Sequence, residues 1–366
     1  MYFSRRLGSG RSLITMEKLN LGIIGTGWPG QMHAEAIRST QAANLYACAD
    51  LDDQRRVAFG NTHAPTKSYS DYHELLQDRQ IDAAIICLPN YLHFPASLAA
   101  LEAGKHVLCE KPPTLDAAEM KVLREEAAKR NLVYSFSRQF RFSAAMRAAR
   151  HVIEQGRLGR IYHAQATFIR SRGIPVGVGN WFTEKKRSGG GALIDIGIHA
   201  LDAVWYLMGT PRPVSISAKV FRNFAHLANV PVFDVEDAAY AFIRFENDAV
   251  VQLETCWAGN LTDDVPPRKY FGQELVNSTI YGTKGSLRLN PLTLFEDRQG
   301  EIAALPLEAA PHEPSGFAAQ LQNFIDAARG EAVPVNGADQ AVALMEMVDA
   351  IYASSATGRE LPIVDL

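Results

Sequence analysis

Lys111, Asp195 and His199 are the residues of this chain whose types and settings point most directly to chemistry. Lys111 stands in Glu110-Lys111-Pro112, directly after the apolar run His106–Cys109. If that run is a strand of a parallel sheet, its carboxyl end faces the crevice where such sheets bind ligands. An ammonium group placed there can hold a substrate oxygen and stabilise negative charge that develops on it. Asp195 and His199 lie four residues apart in Gly189-Gly190-Gly191-Ala192-Leu193-Ile194-Asp195-Ile196-Gly197-Ile198-His199. The apolar spacing over 194–207 predicts a helix, which would project both from one face. Asp195 could then fix the imidazole tautomer and support its protonated form, or both groups could address a substrate directly. On spacing alone, a helix-capping Asp beside a packed core His fits as well. The three glycines upstream are expected to let backbone pass close to a ligand.

A second constellation is Gly25-Thr26-Gly27-Trp28-Pro29-Gly30, a G-x-G-x-x-G preceded by the apolar run Leu19–Ile24 and followed by a helix-like stretch over 31–39. The next strand-like run, Ala43–Ala49, ends at Asp50, twenty residues after Gly30. Strand, glycine turn, helix, strand and acidic residue together make the dinucleotide fingerprint. Gly25 permits the tight turn, Gly27 lets backbone approach a pyrophosphate, and Gly30 lets helix and strand pack closely. The helix N-terminus offers N–H groups and a positive dipole end to the phosphates. Asp50 would accept hydrogen bonds from the adenosine ribose and repel a 2′-phosphate, which favours NAD. Arg55 and Arg56 keep NADP open, because an arginine can reach round to a 2′-phosphate.

The elements that must carry these residues fall into two patterns. Up to about residue 140, short apolar strands at 83–88, 106–109 and 132–136 alternate with helical stretches, among them 95–103, closed by Gly104, and one that opens at Asp116 with Glu119 as a capping box. That alternation predicts a parallel sheet covered on both faces. Beyond it, 214–220, 239–245 and 250–257 alternate with period two, and 274–281 and 286–289 flank the turn Gly282-Thr283-Lys284-Gly285. These predict a large, mostly antiparallel open sheet with helices on one face. Two late helices are expected, one with Phe317, Leu321 and Phe324 on one face and one over 341–352. The fold class is therefore α/β: a dinucleotide-binding domain over 17–140 and an α+β domain over 141–366 for substrate binding and oligomerisation. Residues 1–16, basic and without periodicity, are expected to be a disordered leader.

Composition narrows the function further. The net charge of −3 gives no basic footprint for nucleic acid, and no apolar run approaches the ~18 residues that span a bilayer. Cys48, Cys87, Cys109 and Cys256 match no metal or disulfide spacing and read as buried reduced thiols, as in the cytoplasm. His33 falls in the first turn after the glycine loop, either near the cofactor or as a cap. No histidine has a partner at metal-ligand spacing, so no catalytic metal is expected. The segment 171–186, Gly-rich at its start and carrying Trp181-Phe182, reads either as a mobile cover bordering the pocket or as a surface loop.

Taken together, the glycine loop, Asp50, Pro89-Asn90 with His93, Glu110-Lys111-Pro112 and the GGGALIDIGIH run resemble the Gfo/Idh/MocA oxidoreductases, which include glucose–fructose oxidoreductase and inositol dehydrogenase. The resemblance extends from Leu19 onward. It implies a Rossmann domain followed by a C-terminal domain whose open sheet forms the subunit interface of a homodimer or homotetramer. It implies that Lys111, Asp195 and His199 meet at the nicotinamide and that Pro89, Asn90, His93 and Glu110 line the cofactor site with Gly25, Thr26, Gly27, Trp28, Gly30 and Asp50. It places Arg138 and Trp181 where relatives contact cofactor or substrate. One branch, resembling dihydrodiol dehydrogenases, has Tyr at the position of His199; histidine here points to the sugar and inositol branch. The expected activity is hydride transfer between NAD(P) and the hydroxyl or carbonyl carbon of a sugar, cyclitol or related polyol. His199 would take the hydroxyl proton, Lys111 would stabilise the oxygen, and Asp195 would position substrate and His199. The same fold also serves NAD-dependent glycosidases that oxidise transiently and non-catalytic NAD-binding regulators.

Overall fold

The structure is a computed structural model that describes residues 18–177, 179–261, 273–308 and 314–363; the expected leader over 1–16 lies outside them. Strands β1 (Leu19–Ile24), β2 (Ala43–Ala49), β3 (Lys67–Tyr69), β4 (Ala83–Ile86), β5 (His106–Cys109) and β6 (Tyr134–Phe136) form one sheet in the order β3-β2-β1-β4-β5-β6. All of its pairs are parallel. Helices α1 (Trp28–Arg38), α2 (Asp53–His63), α3 (Tyr72–Gln77), α4 (His93–Glu102) and α5 (Ala117–Lys129) connect them. The strand order reverses between β1 and β4, which opens a crevice at their carboxyl ends. The central strands are buried on both faces, which is why they read as unbroken apolar runs.

The second sheet contains β7 (Ile161–Arg170), β8 (Pro213–Phe221), β9 (Ala238–Phe245), β10 (Val250–Cys256), β11 (Glu274–Val276), β12 (Thr279–Gly282), β13 (Gly285–Leu289), β14 (Leu292–Arg298), β15 (Glu301–Pro306) and β16 (Leu361–Pro362). Its order is β15-β14-β13-β12-β7-β10-β9-β8-β16, with β11 also on β7. Among the described pairs only β7 and β10 run parallel. Ala239, Ala241 and Ile243 of β9 face inward and are buried, while Tyr240, Phe242 and Arg244 face outward and are exposed. Helices α6 (Ala144–Glu154), α8 (Ile198–Leu207) and α10 (Ala338–Thr357) share the core on the inner side. A single turn, α7 (Lys185–Ser188), precedes the three glycines.

Two expectations need correction. The run over 274–281 is two strands, because Asn277-Ser278 interrupts the pairing and the Ser278 hydroxyl takes the Thr167 N–H at 3.3 Å. Helix α1 begins at Trp28 rather than 31: Pro29 sits in its first turn, where the missing N–H costs nothing. One core cluster contains residues from both sides of residue 140. Helix α9 (Gly316–Ala328), late in the chain, packs Leu321, Phe324 and Ile325 against Leu21, Ile23 and Ile37 of the first domain. Among the described residues no helix is long and apolar enough to cross a membrane.

Candidate active site

The glycine turn has the geometry a pyrophosphate needs. Gly25 has φ of +95°, and a Cβ there would lie 2.4 Å from the carbonyl oxygen of Cys87. A Cβ on Gly30 would lie 2.3 Å from the Gly25 oxygen, so helix α1 could not come down on the turn. At Gly27 the nearest atom to an added Cβ is 4.0 Å away, so that face of the turn opens outward. The first turn of α1 has neither a side-chain cap nor an acidic residue, which leaves the positive end of the helix to a ligand. Trp28, 68% exposed, stands edge-on to Phe317 of α9 at its rim.

Asp50 ends β2 beside the turn. Its Oδ2 accepts from Thr26 N and Thr26 Oγ1, both at 2.8 Å, and its Oδ1 accepts from Asp52 N at 3.0 Å. Oδ1 retains a lone pair for a ribose hydroxyl. The two arginines that left NADP open are both engaged. Arg56 donates to the Asp50 carbonyl at 2.7 Å and pairs with Asp53, and Arg55 lies 3.3 Å from Asp52. The residues present therefore fit NAD.

Residues beyond β4 and β5 build the crevice wall, and here several expected roles change. Pro89 is partly exposed at the end of β4. Asn90 is buried and donates to the Ser188 carbonyl at 2.8 Å, tying the first domain to α7 of the second. His93 is buried with Nδ1 2.6 Å from the Pro112 carbonyl and Nε2 2.7 Å from the Leu88 carbonyl. Through these bonds the Asn90 amide nitrogen and the His93 ring hold loops together. Glu110 is also buried, 2.9 Å from His33 Nε2, and its backbone N–H donates to Ile86. Burial would raise its pKa, but His33, Ser137 and Lys111 more than offset that and hold the carboxyl below its ordinary value. His33 was ambiguous in sequence; it is the fully buried partner of Glu110.

Lys111 reaches across to the second domain. Its Nζ donates to the Asp195 carbonyl at 3.1 Å and lies 3.5 Å from Asp195 Oδ1. Asp195 Oδ2 accepts from Arg170 Nη1 at 2.9 Å and from Trp257 Nε1 at 3.0 Å. Burial pushes this carboxyl up, but the Arg170 and Lys111 charges and the Trp257 bond hold it below the usual range. Arg170 ends β7 and Trp257 follows β10. Because those strands are parallel, with Ile169 opposite Cys256, their ends coincide. Neither residue was singled out in sequence, since the parallel pairing that brings them together cannot be read from either segment alone.

Asp195 and His199 share a helical segment, but residues Leu193–Gly197 form a π-helical turn before α8. Asp195 is directed to Lys111, Arg170 and Trp257, so it does not fix the His199 tautomer. That position is taken by Arg138, whose Nη1 lies 3.1 Å from His199 Nδ1. Arg138 is fully buried, pairs with Asp202 through Nε at 2.8 Å, and donates through Nη2 to the carbonyls of Ile198 and His199. It stands behind the imidazole and does not face a substrate, contrary to the expectation. The His199 ring packs edge-on to Phe140 at 5.3 Å. Burial, then the charges of Lys111, Arg138 and Arg170, hold its pKa well below the ordinary value.

The three glycines also serve a different end from the one expected. A Cβ on Gly190 would fall 1.8 Å from the Tyr352 hydroxyl, and one on Gly191 would fall 1.8 Å from the Glu236 carbonyl oxygen. The side chain of Glu236 caps the π-turn, accepting from Gly191 N and Leu193 N at 2.9 Å and from Tyr352 at 3.0 Å. Close packing against protein, not ligand, requires these glycines. Trp181 stacks on Phe182 at 3.9 Å, both partly exposed. The start of the expected cover is anchored, with Gly173 N bonded to the Trp257 carbonyl at 2.7 Å; residue 178 lies outside the described residues.

Fold and site together define an NAD-binding, two-domain oxidoreductase. A model of the oxidoreductase family with an NAD-binding Rossmann fold matches residues 19–137, and a model of the GFO/IDH/MocA C-terminal domain matches residues 146–288. The chain belongs to the GFO/IDH/MocA oxidoreductase family. It is 29% identical over 364 residues to D-glucoside 3-dehydrogenase of Escherichia coli (strain K12), covering 96% of this chain and 100% of that protein. It is 25% identical to myo-inositol 2-dehydrogenase of Thermotoga maritima, covering 89% and 93%. The structure of levoglucosan dehydrogenase with NADH superposes with a TM-score of 0.83 at 23% identity, covering 96% of this chain and 100% of that one, a likeness of fold.

Proposed function

We propose that this enzyme oxidises a ring hydroxyl of a sugar or cyclitol, or reduces the corresponding ketone, with NAD as hydride carrier. The observation that carries the reading is the Lys111–Asp195 contact, which joins the end of β5 to the segment bearing His199 beside the open glycine turn. NAD, when bound, supplies the hydride acceptor or donor. Gly27 and the first turn of α1 hold its pyrophosphate and Asp50 its ribose. Lys111 and His199 stand at the reacting oxygen, and Asp195 orients Lys111 while Arg170 and Trp257 orient Asp195. The stacked Trp181-Phe182 pair offers an aromatic surface to the apolar face of a sugar ring. Similarity to dehydrogenases of a glucoside and of myo-inositol supports this substrate class.

The same reading extends to assembly and place. The outward face of the second sheet carries Phe221, Tyr240 and Phe242, and this aromatic face is suited to a self-complementary homo-oligomeric contact. The four cysteines are unpaired and buried, which suits the cytoplasm. The test is a panel of hexoses, glycosides, anhydro sugars and inositols incubated with NAD or NADP while nicotinamide absorbance is followed. NADH should accumulate with at least one of them. Sugar release without net NADH would instead identify a glycosidase that oxidises transiently, and neither product would leave only cofactor binding.

A further inference from the structure

Resting on that reading, we infer that His33 is a positioning residue for Lys111, acting through Glu110, and that this couple ties Lys111 to the helix that receives the cofactor's pyrophosphate. Lys111 is held at two ends. From the second domain, the Asp195 carbonyl holds its Nζ at 3.1 Å and Asp195 Oδ1 lies at 3.5 Å. From the first domain, Glu110 Oε2 accepts its backbone N–H at 3.3 Å. A lysine stem is four carbons long and flexible, so a fixed head alone does not fix the chain beneath it. The other Glu110 oxygen, Oε1, accepts from His33 Nε2 at 2.9 Å. One carboxylate thus joins the main chain at Lys111 to a side chain of α1.

His33 is an anchor and not a space-filler. Its ring is fully buried, and among the described residues its Nδ1 has no hydrogen-bond partner. Burying an unsatisfied nitrogen is unfavourable, and an aliphatic side chain would fill the same space without that cost. What histidine provides and leucine does not is the Nε2–H. An ionised carboxylate only accepts, so Nε2 carries the proton of this bond. Burial opposes the charged form of Glu110, but His33, Ser137 and Lys111 together keep the carboxyl below its ordinary pKa. The ring is fixed in turn. It stands edge-on to Phe317 at 5.1 Å, and α9 holds Phe317 there by packing Leu321 and Phe324 on Leu21 and Ile37. Trp28, at the rim of the glycine turn, lies edge-on to the same Phe317 ring at 6.4 Å. His33 and the first turn of α1 belong to one helix, whose seat on the glycine turn requires the bare Gly30. The separation of the pyrophosphate turn from Lys111 is therefore set by one helix and one carboxylate.

Two substitutions separate the bond from the packing. His33→Leu removes the donor, whereas His33→Gln keeps an amide nitrogen where the imidazole has Nε2. With a substrate found by the panel, His33→Leu should lower kcat at least about tenfold, since a displacement of about 1 Å costs up to about 10²-fold. KM for NAD should stay near that of the parent, because the glycine turn and Asp50 are untouched. His33→Gln should recover most of the lost kcat. Parent-like kcat in His33→Leu would overturn the proposal, and so would an equal loss in both variants, which would make the ring a matter of packing alone. The main-chain bond is read without turnover. In the full-length protein labelled with 15N-lysine, the Lys111 amide signal, assigned by its loss in Lys111→Arg, should shift in His33→Leu and return toward the parent position in His33→Gln. An unmoved signal in His33→Leu would overturn the coupling through Glu110 even if no polyol is oxidised, so failure of the substrate reading is seen separately. Should His33→Leu not fold, Glu110→Gln takes its place. Its amide offers one accepting oxygen where the carboxylate offers two, so it must release His33 or Lys111 and show the same two changes; parent-like kcat and amide signal there would overturn the proposal.

Discussion

One methyl group added at Gly27 and at Gly191 should have opposite consequences, although both glycines read in sequence as places where backbone approaches a ligand. At Gly27 the added carbon meets nothing closer than 4.0 Å, and the residue is extended, with φ of −65°. Alanine loses a few tenths of a kcal/mol as an N-cap and regains about as much from the stiffer unfolded chain. The apoprotein should melt at an unchanged temperature. NAD affinity should fall at least about tenfold, or roughly 1.4 kcal/mol, because the methyl occupies the pyrophosphate's approach. At Gly191 the added carbon falls 1.8 Å from the Glu236 carbonyl oxygen, where an ordinary contact begins near 3.4 Å. The backbone must open by more than 1 Å on that scale. This strains the packing by about 1–3 kcal/mol. It also disturbs the bond from Gly191 N–H to the Glu236 carboxylate, worth about 1.5–3 kcal/mol. The sum of about 2.5–6 kcal/mol, at roughly 2.1 cal/mol/K of unfolding entropy per residue over 366 residues, lowers Tm by about 3–8 °C. Thermal melts without ligand and NAD titration by fluorescence measure the two effects. A Gly191→Ala protein that melts like its parent but binds NAD or substrate weakly would refute the packing argument and restore the ligand-approach reading.

Four further outcomes follow from the same geometry. Lys111→Ala should lower kcat by at least about 10²-fold, with smaller change in KM, because it removes the charge at the reacting oxygen; near-normal turnover in steady-state assays would exclude that role. Asp50→Ser should lower kcat/KM for NAD by about 10–10²-fold through lost charge-assisted bonds to ribose and raise the NADP-to-NAD ratio; an unchanged ratio would show that Asp50 does not read the ribose. Asp349 has its pKa raised to about 6 by burial and the nearby Asp116 and Glu346 charges, partly offset by the Ala117 N–H. With the folded value above the unfolded ~3.9, its contribution is complete below pH 4 and lost as pH rises to 6. Asp349→Asn can still accept from Ala117, and should raise stability above pH 6 by at most about 3 kcal/mol while leaving pH 4 unchanged, as melts at both pH values would show. Glu236→Gln turns an N–H toward Gly191 or Leu193, and should lower Tm and activity together. A variant that keeps full activity would show that this cap does not position Asp195.

Much of the first domain was legible because its evidence is local. The glycine hexapeptide, the flanking apolar runs and Asp50 lie within one β-α-β unit, where steric rules tie residue type to backbone shape. Lys111 was legible for the same reason, as a charged residue at the end of a buried strand. The antiparallel sheet was read from alternation in β8, β9 and β10. It was missed at β7 and β14, where the described burial is less regular than a strict period of two, and at β15, which has no buried residue.

By itself the sequence determined the parallel and antiparallel sheets, the dinucleotide turn and the placing of Lys111 at the end of a buried strand. These depend on periodicity and on backbone freedom, which neighbours along the chain decide. Only the tertiary structure decided what the polar residues between the domains are bonded to. Arg170 and Trp257 reach Asp195 because two distant strands run parallel, Glu236 closes the π-turn from the start of β9, and Arg138 takes the imidazole nitrogen that spacing had assigned to Asp195. Hydrogen-bond direction and charge depend on atoms a few ångströms apart in space, and separations of 25 to 84 residues along the chain carry no local trace of them.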